Sequence, residues 1–347
     1  MSASKFVPRA LGIAVITTAA ALGLLLQSPL TVEKREVLFV AEGTAMRDVL
    51  DTLEKRSAIR TPWFWRLLAR AEAHLFGIGP KMGSYELTPT TSHLELFANI
   101  LRGWNRQVRR LTIYEGETIF HLAGAIARTL DDDSVRVLRL LIEDSLARRF
   151  NIAQARSLEG FLLPATYYFF ECEPVEHALR RIVRNFDNVW NSRFATIAAA
   201  RGLSRNDVLT LASIVEGEVV NPSEYRRIAG VYWNRLKRGM KLQADPTVQY
   251  ALGFPPRRLT YRDYRIEHPY NTYLIVGLPP GPIKAASVRA IEAVLDPEQH
   301  DYLYFCGSGD STGTHRFART YREHVENVRR YHAVLRQQGR WLSLTQR

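Results

Sequence analysis

Three kinds of hydrophobic pattern succeed one another along the chain, and each predicts a different element. The first is an unbroken apolar run, Ala10 to Leu26, ALGIAVITTAAALGLLL, with no charge in it. It sits at the short end of the roughly 17–25 residues that a membrane-spanning helix needs. Gln27 to Val32 extends it with little polarity. Lys5 and Arg9 precede the run, while Glu33, Lys34, Arg35 and Glu36 cancel behind it. The positive flank stays on the cytoplasmic side. The pattern predicts a cytoplasmic tail over 1–9, a single-span anchor over 10–31, and the bulk of the chain outside. A cleaved signal peptide would have a shorter apolar region and a small-residue cleavage site. Gln27-Ser28-Pro29 is a poor site of that kind.

The second pattern is a quick alternation of short elements. Glu36 to Ala41 reads as a strand, and Met46, Val49, Leu50 and Leu53 recur at helical spacing. Pro62 opens another helix, carrying Trp63 and Trp65. Lys81 to Thr88 reads as a strand, and Thr91-Ser92 caps a helix that Gly103 ends. Val108 to Ile113 is the next strand and Glu117 to Leu130 the next helix. The order predicts a small α+β module, an arrangement that suits binding.

Longer helices make up the third pattern. Pro174 to Ala200 keeps the helical period through Ala178, Ile182, Val183 and Phe186. Ser204 and Asp207 form a capping pattern for the next helix, which Asn221-Pro222 breaks. Its apolar stripe is Val208, Leu211, Ala212, Ile214, Val215 and Val219. Glu216 and Glu218 fall at the edge of that stripe at about 100° per residue. Adding Leu209 and Val220 reverses which of the two lies deeper, so helical phase does not choose between them. Partial burial raises a carboxyl pKa toward neutrality, as a general acid requires. Gly217, between them, weakens a helix by about 1 kcal/mol against alanine, so the helix is expected to deviate there. Ser223 is expected to cap the following helix, Glu224 to Arg238. Lys241 to Thr247 is a polar loop in which Gln243, Asp245 and Thr247 can hydrogen-bond a sugar. Tyr270 and Asn271 belong to a polar-aromatic patch suited to a glycan groove.

The net charge of +12 suggests an anionic partner or a solvated basic surface. Topology outside the cytoplasm argues against nucleic acid. Cys172 and Cys306 form no metal pattern and leave pairing open. No metal site or cofactor motif is evident. GSGDSTG after the strand Asp301 to Cys306 has the wrong spacing for dinucleotide binding, and THRFA after it reads as a returning strand, so a hairpin is expected. The basic segment Arg319 to Arg347 reads as a helix.

LASIVEGE, VYWNRL, GMKLQADPTVQYALG, PYNTY and GLPPGPI occur in an order and at a spacing that resemble the MltG (YceG-like) family of endolytic murein transglycosylases. KMGSYELT, YEGETIFHLA and LEGFLLPATYY fit the same layout. The resemblance implies an α+β chain: an inner-membrane anchor, a LysM-like module over 32–115 and a mixed α/β catalytic domain over 116–347. It implies a catalytic domain in the periplasm, peptidoglycan glycan strands as substrate and peptidoglycan synthases as partners. It also singles out Glu218 as the catalytic acid, with Glu216 in support, and no metal or cofactor. His315 resembles a histidine of the family. Gln243, Asp245, Thr247, Tyr270 and Asn271 are the residues expected to bind and orient glycan. Two rival readings remain at this level. One is a hydrolase in which Glu216 or Asp245 activates water. The other is a non-catalytic peptidoglycan-binding scaffold.

Overall fold

The computed structural model describes residues 23–75, 79–104, 106–149, 157–253 and 255–338. Most of the expected anchor and the end of the basic C-terminal segment lie outside these ranges. Among the described residues no helix is long and apolar enough to cross a membrane. The fold of the described residues is α+β, with three separate two-stranded sheets among many helices. It divides into two compact units, the first mainly residues 1–110 and the second mainly 111–347.

In the first unit, strand β1 (Glu36–Val40) pairs antiparallel with β2 (Gly83–Leu87), Leu38 facing Tyr85. Helices α1 (Met46–Lys55) and α2 (Pro62–Leu75) lie between them in sequence, and α3 (His93–Arg102) follows. This is the order the hydrophobic pattern predicts. The alternation in β1 buries Leu38 and Val40 against Leu50, Leu53 and Leu96. Ser92 caps α3 by accepting the Glu95 N–H, and Gly103 ends it at φ 72°. Residues 28–31, assigned above to the end of the anchor, are built into this unit. The Leu30 N–H donates to the Thr91 carbonyl at 2.9 Å, and the Thr31 N–H to the Ala58 carbonyl at 3.0 Å. Leu30 itself is buried.

Strands β3 (Val108–Ile113) and β4 (Ala165–Phe170) pair with each other, and the division between the units falls within each strand. The second unit then carries α4 (Ile119–Leu130), α5 (Ser134–Ile142), α6 (Asp144–Arg149) and α7 (Val175–Arg193). The single long helix expected over 174–200 is interrupted once: α7 ends at Arg193, Phe194 widens to φ −119°, and α8 (Ala195–Ala200) restarts after it. At the heart of the unit is α9 (Arg205–Glu218), which packs against α10 (Tyr225–Lys237), α11 (Asp245–Leu252) and α12 (Val288–Leu295). Every residue from Val208 to Val215 is buried. A helix covered on all sides has no single apolar stripe, which is why phase alone cannot rank its two glutamates.

Strands β5 (Tyr304–Gly307) and β6 (His315–Ala318) form the expected hairpin, with Gly307 facing His315. Helix α13 (Tyr321–Gln337) packs on it and starts with a capping box of Thr320 and Glu323. Both cysteines are free.

Candidate active site

Ser204 caps α9 as its sequence predicts, accepting the Asp207 N–H at 3.1 Å. The helix runs straight through Gly217 to Glu218, so the expected deviation at the glycine does not occur. The glycine is explained by space instead. A Cβ there would lie 2.7 Å from Cβ and Cγ of Pro246, at the start of α11. Without the side chain, the end of α9 and the start of α11 can touch. That contact brings Glu218 and Asp245 to the same wall. The following turn is capped by Asn221 rather than Ser223. Asn221 accepts the Ser223 N–H at 3.0 Å across a short 3-10 turn that precedes α10.

The two glutamates differ in what meets them. Glu216 is fully engaged by the fold. Its Oε1 accepts the Tyr225 hydroxyl at 2.8 Å. Its Oε2 accepts the Ser287 N–H at 2.9 Å and the Ser287 hydroxyl at 2.6 Å. It therefore ties α9 to α10 and to the N-terminus of α12. Among the described residues Glu218 receives one hydrogen bond, from the buried Tyr232 hydroxyl to Oε1 at 3.1 Å. Burial, reinforced by the negative charge of Asp245, pushes its pKa up to about 7. The Tyr232 hydrogen bond and the positive charges of Lys284 and Arg235 act in the opposite direction. Glu218 is thus the carboxyl that can hold a proton near neutral pH and give it up.

Two cavities meet at this carboxyl. One, of about 390 Å³, is lined by Glu218 and Asp245 together with Gln243, Arg235, Tyr304 and His315. The other, of about 340 Å³, is lined by the same two carboxyls with Tyr250, Gln249, Thr118 and Lys284. Glu218 therefore has room on both sides. Asp245 is held by two tyrosines: the Tyr273 hydroxyl donates to Oδ1 at 2.6 Å and the Tyr264 hydroxyl to Oδ2 at 3.3 Å. Burial lowers the Lys284 pKa, against the opposing charges of Glu216, Glu218 and Glu159. These charges predict a pH signature. Activity that needs protonated Glu218 falls as pH rises through about 7. Asp245→Asn removes a negative neighbour, so the falling limb moves to lower pH. Lys284→Met removes a positive one, so the limb moves to higher pH. A pH–rate profile of each variant checks both signs.

The expected glycan-binding residues separate into three groups. Gln243 and Asp245 line the cavity with Glu218, Gln243 exposed at φ 49°. Thr247 and Asn271 do not reach it, which corrects the expectation that they contact sugar. Both are fully buried and their polar atoms are used internally. The Thr247 hydroxyl donates to the Ala244 carbonyl at 2.7 Å and lies 2.8 Å from the Thr272 hydroxyl. Asn271 Nδ2 donates to the Tyr264 and Ile266 carbonyls at 3.1 and 2.9 Å. They brace the segments that present Asp245, Tyr264 and Tyr273. Tyr270 stands 4.8 Å from Tyr250, centroid to centroid, and so backs a residue of the smaller cavity. The polar loop is also shorter than expected, since helix α11 begins at Asp245.

Two residues of the site carry no clear signal in the sequence, and neither does Glu159, whose charge acts on Lys284. Tyr232 reads as a core residue, and Lys284 lies just past the turn-rich loop Gly277 to Ile283. Glu159 is buried, accepts the Ile119 N–H at 3.2 Å, and is pushed up to about 8 by burial.

The model of the YceG-like family matches residues 38–330. A Bacillus subtilis protein named endolytic murein transglycosylase is 29% identical over 306 residues, covering 84% of this chain and 83% of that protein. A protein of the same name from Streptococcus pneumoniae is 28% identical over 319 residues, covering 83% of this chain but 57% of the longer relative. A crystal structure of a yceG-like protein from Listeria monocytogenes superposes with a TM-score of 0.58 at 29% identity, covering 85% of this chain and 99% of that one. The chain belongs to the YceG-like family.

Proposed function

We propose that the chain is an endolytic lytic transglycosylase that cleaves the MurNAc–GlcNAc β-1,4 bond of peptidoglycan glycan strands. The observation that carries this reading is the placement of Glu218. It is a carboxyl with a pKa near 7 where two cavities meet. An enzyme that cuts inside a strand must hold sugars on both sides of the broken bond. The names of the relatives point to the same activity.

Protonated Glu218 donates to the glycosidic oxygen as the C1–O bond breaks. The resulting carboxylate then takes the proton of the sugar's own C6 hydroxyl, and O6 bonds to C1. The products are a free hydroxyl on one fragment and a 1,6-anhydroMurNAc end on the other, with no water consumed. Because the attack is intramolecular, one well-placed carboxyl and a fixed sugar suffice. Hydrolysis through two carboxyls would need a second one free to activate water or attack C1. Glu216 is occupied by Tyr225 and Ser287, and Asp245 by Tyr264 and Tyr273.

The N-terminal apolar run anchors the chain in the inner membrane, with the catalytic unit on the periplasmic side. The first unit acts as a LysM-like module that holds the strand. Such an enzyme works beside peptidoglycan synthases and ends strand elongation. The size distribution of fragments tests the endolytic part. Long uncrosslinked strands should shorten first to mid-length oligosaccharides. A product pool made from the outset of disaccharides alone contradicts the reading.

A further inference from the structure

We propose that His315 is a second residue of the site that touches the glycan, accepting a hydroxyl hydrogen bond on Nε2, and that Glu224 is the positioning residue that makes it an acceptor. This rests on the glycan-cleaving reading above. His315 opens strand β6 and lines the larger cavity together with Glu218. Glu224 reaches it from the turn before α10, 91 residues away in sequence. Glu224 is itself buried, at 5% exposure. Its two oxygens are both spent on this one residue. Oε1 accepts the His315 backbone N–H at 3.0 Å, and Oε2 lies 2.7 Å from the ring Nδ1. Phe305 stands edge-on to the ring, 5.3 Å between centroids. The imidazole is therefore fixed from its backbone, its Nδ1 side and its face.

In the neutral ring this arrangement sets the tautomer. A carboxylate only accepts, so the proton sits on Nδ1 and Nε2 keeps its lone pair. Among the described residues Nε2 makes no hydrogen bond, and it is not sealed from solvent. A buried carboxylate devoted to orienting one ring that lines the cavity of the acid, with its other nitrogen unbonded and unsealed, is the layout of a ligand-binding histidine. A core histidine would have both nitrogens satisfied. The chemical class it selects is a hydroxyl donor, which every sugar of a glycan strand supplies.

The test uses the full-length chain in detergent with uncrosslinked peptidoglycan strands. His315→Ala should lower kcat/KM by about tenfold or more in a protein that still folds, though it melts somewhat lower because buried Glu224 loses a partner. Glu224→Gln should do the same by a different route. The glutamine oxygen can still accept the backbone N–H, while its amide donates to Nδ1 and moves the ring proton to Nε2. The double variant should be no worse than either single one, because both act through one contact. Nitrogen NMR of the labelled ring reads the tautomer directly. It should show Nδ1 protonated in the wild type, Nε2 protonated in Glu224→Gln, and an Nε2 shift when glycan is added to the Glu218→Gln variant. Wild-type kcat/KM in a folded His315→Ala variant overturns the proposal, as does an Nε2 resonance that ignores added glycan. If the wild-type protein forms no anhydro ends at all, the glycan-cleaving reading fails, and the ring titration still decides whether His315 binds glycan.

Discussion

Glu218→Gln is expected to lower the rate of anhydro-end formation by about a thousandfold or more, since it removes a group that acts as acid and then as base. The amide is close in shape to the carboxyl and keeps an oxygen for the Tyr232 hydroxyl, so the fold should hold. Glu216→Gln makes the informative contrast. Its oxygens accept the Tyr225 hydroxyl and both donors of Ser287. Losing part of that set should cost about 1–3 kcal/mol of stability, with a smaller effect on the chemical step. Stability gives Glu218→Gln a second signature. The Glu218 carboxyl titrates near 7 in the folded chain and near 4.5 as an ordinary glutamate. Between those values the folded state binds the extra proton, so wild-type stability falls as pH rises through the window. The variant escapes that loss. At pH 8 it should be more stable than wild type by an amount of order 1–3 kcal/mol and melt correspondingly higher, and the advantage should vanish toward pH 4. Thermal melts across pH measure it. Equal melting at all pH values would mean that Glu218 is not held in the protonation-favouring environment described above.

Gly217→Ala sets two effects against each other, and packing should win. Helix propensity alone favours alanine by about 1 kcal/mol. The added Cβ would meet Pro246 Cβ and Cγ at 2.7 Å, well inside contact distance. Pro246 is a rigid ring in the first turn of α11, beside Asp245, and cannot swing aside as a flexible side chain would. Either the end of α9 or the start of α11 must move. Both carry a carboxyl that lines the two cavities. Overpacking of this kind costs about 1–3 kcal/mol, while a misplacement of about 1 Å at a reacting group can cost a hundredfold in rate. The variant should therefore keep most of its stability and lose about a hundredfold in turnover. Steady-state kinetics beside a thermal melt separate the two. Full activity in Gly217→Ala would show that the approach of α11 to α9 does not set the position of the acid.

Much of the architecture can be read from the sequence because it depends on local periodicity and caps. Ser204 and Asp207 announce the start of α9, Ser92 and Gly103 bound α3, and the spacing after Cys306 favours a hairpin over a dinucleotide loop. The site resists the same reading for a physical reason. Glu216 and Glu218 stand two positions apart on one helix, and what distinguishes them comes from elsewhere. Ser287 meets Glu216 from 71 residues away, and Tyr232 meets Glu218 from 14 residues away. The resemblance to a family chose Glu218, and the surrounding donors explain that choice. Thr247 and Asn271 lie buried away from the cavities, and the sequence does not show it because a polar residue in a polar run has the same appearance whether it faces a cavity or braces a loop. Only the partners, Thr272, Tyr264 and Ile266, tell the two apart. Glu224 and His315 are joined by the same long-range pairing. By propensity Gly217 is a weak point of its helix, whereas in the fold it is the position that lets Pro246 approach.

The proposed cleavage consumes no water and is carried by Glu218. Digestion of uncrosslinked strands in heavy-oxygen water, followed by mass spectrometry of the new ends, tests this directly. The account predicts new ends lighter than reducing ends by one water and free of heavy oxygen. Reducing ends that carry one heavy oxygen each would contradict it and establish hydrolysis in its place.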